Sequence, residues 1–275
     1  MTTEDRTQRI LQRLAEAAEE TPDLSGFYEL HQKLFRLQGE ARADIAAALE
    51  LADEEALKAR TAQGLPMLSF AQLPIAAGRF ATLATAVAAV LSEYDPDLGK
   101  QALPDDAAAW LSLAERRFEE GRVNPERAER TAELTLAEMA VDLALKPYLE
   151  WAADQVLPHL NLERWKRGYC PVCGGPPDFA VLEEETGARY LICSRCAAEW
   201  PFRRLGCPFC NTNDYSKLFY YLSDDEVYRL YVCQECRHYL KSMDLRKATH
   251  RVVLEAERVT TVAMDVAAQR EGYRS

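Results

Sequence analysis

The first 165 residues of this 275-residue chain contain no cysteine. The chain also lacks an apolar run of about 20 residues, the length that a membrane-spanning helix needs. Its first ten residues, MTTEDRTQRI, lack the apolar core of a secretory signal. We therefore expect a cytoplasmic protein without membrane insertion. Positive charge is scarce as well, since 44 acidic and 33 basic side chains give a net charge of −11, which argues against a protein that binds nucleic acid by neutralising phosphates.

Common catalytic patterns are missing too. We find no Gly-rich phosphate loop, no Ser, His and Asp set and no paired-carboxylate pattern that would support a hydrolase or a dehydrogenase. The sequence therefore gives no support to either of these enzyme classes. Hydrophobic residues make up 48% of the chain, enough to build a core, and the length suits one large or two ordinary domains of roughly 100–200 residues each.

Residues 1–165 are predicted to form an acidic, all-helical domain. They carry 29 acidic and 17 basic side chains, and their apolar residues recur at spacings of three and four, which is typical of amphipathic helices. The clearest such positions are Ile10, Leu14, Ala17, Ala18, Phe27, Leu30, Leu34 and Leu37. A third helix is predicted over 75–94. The pattern indicates a bundle of about six helices.

Local signals mark where these helices begin and end. Thr21-Pro22-Asp23 and Leu103-Pro104-Asp105-Asp106 place a proline and acidic residues where a first helical turn favours them. Asn124-Pro125 is predicted to begin a fifth helix. Pro147 and Pro158 are expected to kink or end the helix that follows, because proline removes a backbone donor and clashes with the preceding turn.

All eight cysteines form four Cys-x-x-Cys pairs, separated by 19, 10 and 22 residues. Two such turns about 15–20 residues apart form a tetrahedral four-sulfur site, whereas the short middle gap suits a linker. The sequence therefore predicts two metal sites. One consists of Cys170, Cys173, Cys193 and Cys196, and the other of Cys207, Cys210, Cys233 and Cys236.

The residue after a pair often needs a positive φ, which glycine adopts most easily and asparagine next. Gly174 and Asn211 stand at this position after the opening pair of each site. The closing pairs are followed by Ala197 and Arg237, so we expect their turns to form without a glycine or asparagine at this position.

Strand-like segments lie between the pairs of each site. Segments 179–182 and 189–192 flank one turn, and 217–222 and 227–232 flank another. We therefore predict an α+β protein in which the helical domain 1–165 precedes two small β lobes, 166–203 and 204–275, the second with a C-terminal extension. Lobes of this size lack enough core to fold alone, so bound ions would supply folding free energy of order 10 kcal/mol.

Other interpretations of the cysteines remain open. Structural disulfides do not suit a reduced cytoplasmic protein, and a thioredoxin-like pair would need one reactive Cys-x-x-Cys at a helix start. Iron–sulfur clusters are a further alternative, although paired turns on separate hairpins favour one ion each. Thiolate tetrahedra accept both zinc and iron, so the spacing does not choose between them.

The cysteine-containing segments resemble the FdhE family, the accessory proteins of formate dehydrogenase maturation. The resemblance rests on Tyr169-Cys-Pro-Val-Cys-Gly-Gly-Pro-Pro177, Leu191-Ile-Cys-Ser-Arg-Cys-Ala-Ala-Glu-Trp200, Arg204-Leu-Gly-Cys-Pro-Phe-Cys210 and Tyr228-Arg-Leu-Tyr-Val-Cys-Gln-Glu-Cys-Arg-His-Tyr-Leu-Lys241. It implies two rubredoxin-like lobes that hold two mononuclear iron ions, with zinc as the alternative. It also implies a cytoplasmic maturation factor, or chaperone, that is not itself an enzyme and that binds the catalytic subunit of a respiratory formate dehydrogenase before export.

Two other functions remain as alternatives: a zinc-ribbon protein that binds nucleic acid, and a rubredoxin-like electron carrier. The net charge counts against the first, and the attached helical domain against the second. Near the ligands, Arg195, Arg203, Arg204 and Arg237 are expected to offset the anionic sulfur sites or to sense their charge. Most of the aromatic residues there are expected in the core, with a partner surface as the alternative. They are Trp200, Tyr220, Tyr221, Tyr228, Tyr231 and Tyr239.

Overall fold

The computed structural model describes residues 2–123, 133–249 and 251–274. The predicted helix start at Asn124-Pro125 lies outside the described residues. The chain forms two compact units. We call Met1–Glu50 with Leu68–Gln155 the helical unit, and Leu51–Met67 with Val156–Ser275 the sheet unit.

Eight α-helices lie in the described residues. They are α1 (Thr3–Glu20), α2 (Ser25–Ala43), α3 (Glu54–Gln63), α4 (Ala77–Tyr94), α5 (Ala107–Glu120), α6 (Leu136–Val156), α7 (Leu254–Thr260) and α8 (Val262–Arg270). Among the described residues, no helix is both long and apolar enough to cross a lipid bilayer.

The helical unit consists of α1, α2, α4, α5 and α6, and the apolar faces predicted from the sequence form its core. Ile10 and Leu14 of α1 are buried, as are Trp110 and Phe118 of α5. Side-chain caps begin two of the helices. Thr2 accepts a hydrogen bond from the backbone of Asp5 at α1, and Asp106 caps α5 in the same way.

Pro147 lies inside α6 and does not end it. Proline has no N–H, so the carbonyl of Leu143, four residues earlier, loses its helical donor. The side chain of the buried Gln38 on α2 donates to this carbonyl at 2.9 Å, which satisfies the acceptor and lets the helix continue. Near Pro158 the α-helix has ended at Val156, as expected, and a 3-10 turn follows over Leu157–His159.

The sheet unit contains one mixed, six-stranded sheet in the order β3-β2-β1-β6-β5-β4. Its strands are β1 (Pro177–Leu182), β2 (Arg189–Cys193), β3 (Glu199–Phe202), β4 (Leu218–Leu222), β5 (Tyr228–Cys233) and β6 (Tyr239–Asp244). The hairpins β1–β2 and β4–β5 are antiparallel and lie where the sequence predicts them. The third strand of each group, β3 and β6, was not predicted.

The two predicted lobes are joined edge to edge, because β1 pairs in parallel with β6 from Phe179 opposite Lys241 to Leu182 opposite Asp244. This pairing covers two strand edges that separate lobes would expose. One face of the sheet packs against the C-terminal residues: Leu254 of α7 lies against Phe179, and Met264 of α8 lies near Leu230. These two helices were not predicted, since the sequence indicated only a C-terminal extension.

The predicted fold class is confirmed: a helical N-terminal region precedes a β region with two four-cysteine clusters. The domain limits 1–165, 166–203 and 204–275 stay a prediction. Within the sheet unit, the segment that contains α3 contacts the residues on either side of Cys170. The Met67 N–H donates to the Pro171 carbonyl at 3.0 Å, and the Tyr169 hydroxyl donates to the Gly64 carbonyl at 2.8 Å.

Candidate metal centres

Each of the four Cys-x-x-Cys pairs forms the same backbone turn. The N–H of the first cysteine donates to the carbonyl five residues later, and the N–H four residues later donates back to the carbonyl of that cysteine. In the first predicted site, the bonds are Cys170 N to Gly175 O with Gly174 N to Cys170 O, and Cys193 N to Ala198 O with Ala197 N to Cys193 O. In the second, they are Cys207 N to Thr212 O with Asn211 N to Cys207 O, and Cys233 N to His238 O with Arg237 N to Cys233 O. All eight measure 2.9–3.2 Å.

The residue after each pair is left-handed in all four turns. Gly174 has a φ of 80° and Asn211 of 65°, as expected. Ala197 and Arg237 have φ values of 54° and 60°, so the closing turns adopt the same left-handed conformation without glycine or asparagine. The shared hydrogen-bond pattern imposes this conformation on whichever residue stands there, at a cost of about 1–2 kcal/mol for a residue with a Cβ.

The turns bring the cysteines together in the two predicted sets. In the first tetrad, Cys170 Sγ lies 3.5 Å from Cys196 Sγ, and Cys173 Sγ lies 3.4 Å from Cys193 Sγ. The second tetrad consists of Cys207, Cys210, Cys233 and Cys236. Cys207 Sγ lies 3.6 Å from Cys236 Sγ, and Cys210 Sγ lies 3.7 Å from Cys233 Sγ. All sulfur atoms of a tetrad lie within 4.8 Å of one another.

These separations fit a tetrahedral thiolate site. A metal–sulfur bond of about 2.3 Å places two ligands of a tetrahedron about 3.8 Å apart. A disulfide would need about 2.05 Å, and all eight cysteines are free. The donor set, four sulfurs per site, suits zinc or iron. That these residues bind a metal stays a prediction.

Backbone N–H groups point at several of the sulfurs. Val172 N lies 3.4 Å from Cys170 Sγ, Gly175 N 3.4 Å from Cys173 Sγ, and Arg195 N 3.4 Å from Cys193 Sγ. Such donors stabilise a thiolate. The Arg195 side chain acts as well: after the hydrogen bonds from the other three cysteines, its positive charge is a further cause of the lowered pKa of Cys173.

The thiols of each tetrad perturb one another strongly. Burial raises the pKa of Cys170 and of Cys196 well above the usual range, whereas hydrogen bonds from neighbouring thiols, first from Cys170, lower the pKa of Cys173. In the second tetrad, the hydrogen bond from Cys236 lowers the pKa of Cys207 to about 5, and burial raises the pKa of Cys210 to about 11. Without a cation, negative charge therefore concentrates on part of each tetrad. A divalent ion would allow all four thiols to ionise.

The two tetrads differ in their exposure. All four cysteines of the first tetrad are buried, whereas Cys210 is exposed and Cys236 is partly exposed. Trp200, itself fully buried, supports the first tetrad by donating its indole N–H to the Arg167 carbonyl at 3.0 Å. The first tetrad is thus a closed site, and the second is open to solvent.

Gly168 packs directly against the first turn of the second tetrad. A Cβ added at this position would lie 1.8 Å from the carbonyl oxygen of Pro208, so only glycine permits the approach. The chain leading into the first tetrad and the turn of the second are therefore in close backbone contact.

The arginines and aromatic residues near the cysteines differ in their contacts and their exposure. Arg203 donates to the carbonyl and the side-chain oxygen of Asn211 at 2.7 Å, and the Arg237 guanidinium lies over the Tyr273 ring. Trp200 and Tyr239 are buried and Tyr228 and Tyr231 half-buried, but Tyr220 and Tyr221 are more than half exposed. The fold and the sulfur clusters together define an α+β protein whose sheet carries two four-cysteine sites that can hold metal ions.

Comparison with known proteins identifies the family of the chain. The chain belongs to the FdhE family: it is 31% identical over 282 residues to the Protein FdhE homolog of Pseudomonas aeruginosa, covering 95% of this chain and 85% of that protein. The Aquifex aeolicus Protein FdhE homolog is 35% identical over 133 residues, with 47% of this chain and 46% of that protein covered, so this match spans less than half of the relative. A family model with the description "FdhE, central domain" matches residues 169–204.

A solved structure agrees with the whole fold. The crystal structure of the FdhE protein from Pseudomonas aeruginosa aligns with a TM-score of 0.63 and 25% sequence identity. The alignment covers 98% of this chain and 93% of that one. The similarity therefore extends over both the helical region and the β region.

Proposed function

We propose that this protein is a cytoplasmic formate dehydrogenase accessory protein, which binds the catalytic subunit of the enzyme and supports its maturation before export. Membership of the FdhE family supports the proposal, together with the two cysteine tetrads that lie in the predicted sets. The sulfur separations of 3.4–3.7 Å are the observation that carries the metal-dependent part of the proposal.

Each tetrad is proposed to hold one ion, iron by the family resemblance, with zinc fitting the same sulfur set. The residues of this chain prepare the sites in two ways. Turns of the first tetrad direct backbone N–H groups at the sulfurs, and each hairpin holds the two turns of its tetrad side by side at its open end, where Pro177 pairs with Cys193 and Leu218 with Cys233. When bound, the ion supplies folding free energy of order 10 kcal/mol. The protein is proposed to act by binding and not by catalysis.

Co-purification tests this function. The full chain, tagged and produced without oxygen in a host that makes a respiratory formate dehydrogenase, should retain the catalytic subunit and contain two ions per chain by elemental analysis. Absorption spectra of the same sample identify iron or zinc. Cys233→Ser should lose the ion of the second tetrad and weaken retention of the subunit.

Glu235→Gln is the matched control, because Glu235 is an exposed residue in the same turn and is not a ligand candidate. It should keep both ions and the subunit. Failure of the metal-loaded wild-type chain to retain the catalytic subunit would contradict the proposed partner. A chain without bound metal would contradict the proposed sites.

A further inference from the structure

A cavity of 320 Å³ lies in the sheet unit beside the second tetrad. The linker between the tetrads forms one wall, from Arg204 to Phe209, and strands β4, β5 and β6 form the other. Six phenylalanine and tyrosine residues line it, and they are Phe209, Tyr215, Phe219, Tyr220, Tyr231 and Tyr239. Cys207 and Cys233 also line it. Its occupant would therefore lie against the more exposed metal site.

Among the described residues, the lining includes Arg189, Arg204 and His238 and no carboxylate. The cysteines of the second tetrad that line the cavity are its source of negative charge. Apolar walls combined with cationic groups favour a ligand that carries an apolar body and an anionic group.

Arg189 is the group that most needs a partner. It is only 3% exposed, and its guanidinium stacks against the rings of Phe202 and Tyr231. It donates one hydrogen bond, to the Gly206 carbonyl at 2.8 Å, while its buried Nε has no acceptor within the described chain. No described carboxylate pairs with it. A buried cation without an anionic partner is costly, and the nearby second tetrad supplies negative charge but no acceptor to Nε.

The outer strand beside the cavity is also unprotected. Among the described strands, β4 pairs with β5 alone and is therefore an edge strand of the sheet. Phe219, Tyr220, Tyr221 and Leu222 of this strand are 43–60% exposed. Natural edge strands usually carry charges or prolines that prevent pairing with another chain. An edge strand that exposes apolar residues instead is suited to a peptide that adds as a further strand.

We propose that an extended, apolar segment of a partner polypeptide adds to the edge of β4 and places a carboxylate in the cavity opposite Arg189. The carboxylate comes from a glutamate of the segment or from its carboxyl terminus. A carboxylate opposite Arg189 would supply the anionic partner that the guanidinium lacks within the described chain, and the aromatic wall receives an apolar side chain. This site adds detail to the proposed function. It rests on that function in one respect, namely that the partner is a polypeptide.

Two pairs of short peptides test the proposal on the metal-loaded full chain by fluorescence anisotropy. Fluorescein-Val-Thr-Leu-Phe is compared as its free acid and its amide, and fluorescein-Leu-Glu-Phe-Val amide is compared with its Gln analogue. In at least one pair, the carboxylate form should bind ten-fold or more tightly than its neutral partner, and Arg189→Met should remove that difference. 3-Phenylpropionate serves as the small-molecule competitor and should bind more weakly than the preferred peptide.

A second variant covers the case in which Arg189→Met does not fold. Leu205 lines the cavity and is 58% exposed, so Leu205→Asp should keep both ions and weaken the preferred peptide ten-fold or more. Val266→Asp is the control, because Val266 is 41% exposed on α8 and does not line the cavity.

Equal affinity of the charged and neutral peptides would overturn the proposal, as would a difference that persists in Arg189→Met. Equal affinity of 3-phenylpropionate and the peptide would overturn the polypeptide source. Because the peptides contain nothing of formate dehydrogenase, these results are independent of the co-purification experiment, and either can fail alone.

Discussion

Gln38 donates its side-chain amide to the backbone carbonyl of Leu143 across the helical unit, at 2.9 Å. Leu143 lies four residues before Pro147, so its carbonyl is the one that proline deprives of a helical donor. Gln38 is buried, at 8% exposure, so water cannot easily take its place as the donor to this carbonyl. A single residue on α2 therefore explains why α6 continues through a proline.

Gln38→Ala is expected to reduce the free energy of unfolding by about 1–3 kcal/mol, because it leaves a buried carbonyl without a donor. In a Pro147→Ala background, the restored N–H can serve that carbonyl, so the same change should cost about 1 kcal/mol less. Denaturant unfolding of the four proteins gives the coupling. Gln32→Ala, which removes a longer bond to the Leu11 carbonyl at 3.3 Å, is the control and should cost less. Equal costs in both backgrounds would contradict this role of Gln38.

Ala197→Gly is expected to stabilise the metal-loaded protein by about 1 kcal/mol, because glycine removes the strain of a Cβ at a φ of 54°. The greater backbone entropy of glycine in the unfolded chain offsets part of this stabilisation. Gly174→Ala should destabilise it by about the same amount for the converse reason, at a φ of 80°. The midpoints of chemical unfolding compare the two variants. Loss of stability in Ala197→Gly would show that the turn is not strained.

The local parts of the structure could be predicted from the sequence because their causes lie close together along the chain. Helical periodicity located the buried faces that contain Leu14 and Phe118, and the cysteine spacing gave the membership of both tetrads. The left-handed conformation of Ala197 could have been inferred from the turn itself. Only the preference of glycine and asparagine for that conformation was used, and it misses a residue that the hydrogen bonds force into place.

The long-range parts could not be predicted, since they depend on pairs distant in sequence. The parallel pairing of β1 with β6 and the bond from Gln38 to Leu143 leave no local pattern. The same holds for the buried Arg189, whose position at the start of β2 resembles an exposed strand end in the sequence. Its environment arises from the linker that folds back, where it donates to the Gly206 carbonyl.

Lys241 links β6 to α8 through a buried ion pair with Asp265, at 2.6 Å. Burial lowers the pKa of this lysine, so the unfolded chain binds its proton more strongly than the folded one. Between the lowered pKa and the unfolded value of about 10.4, stability should therefore rise with pH because of this residue. Unfolding of the wild type and Lys241→Met from pH 8 upward should show this rise only in the wild type.

The control for that pH dependence is Lys247→Met, which removes the more exposed pair with Glu226. It should keep the slope of the wild type. A slope that is the same in Lys241→Met and the wild type would contradict the assignment to Lys241.

The unequal exposure of the tetrads predicts unequal metal release. Cys210 is exposed and Cys196 buried at 2%, so a chelator should remove the ion of the second tetrad first, in a two-phase reaction followed by absorbance. Cys210→Ser should abolish the fast phase and retain one ion. Cys196→Ser should abolish the slow phase and lower the unfolding temperature further, because the first tetrad lies within the sheet core. A single phase in the wild type, or loss of both ions in either variant, would mean that the continuous sheet couples the two sites, and independent filling would then be wrong.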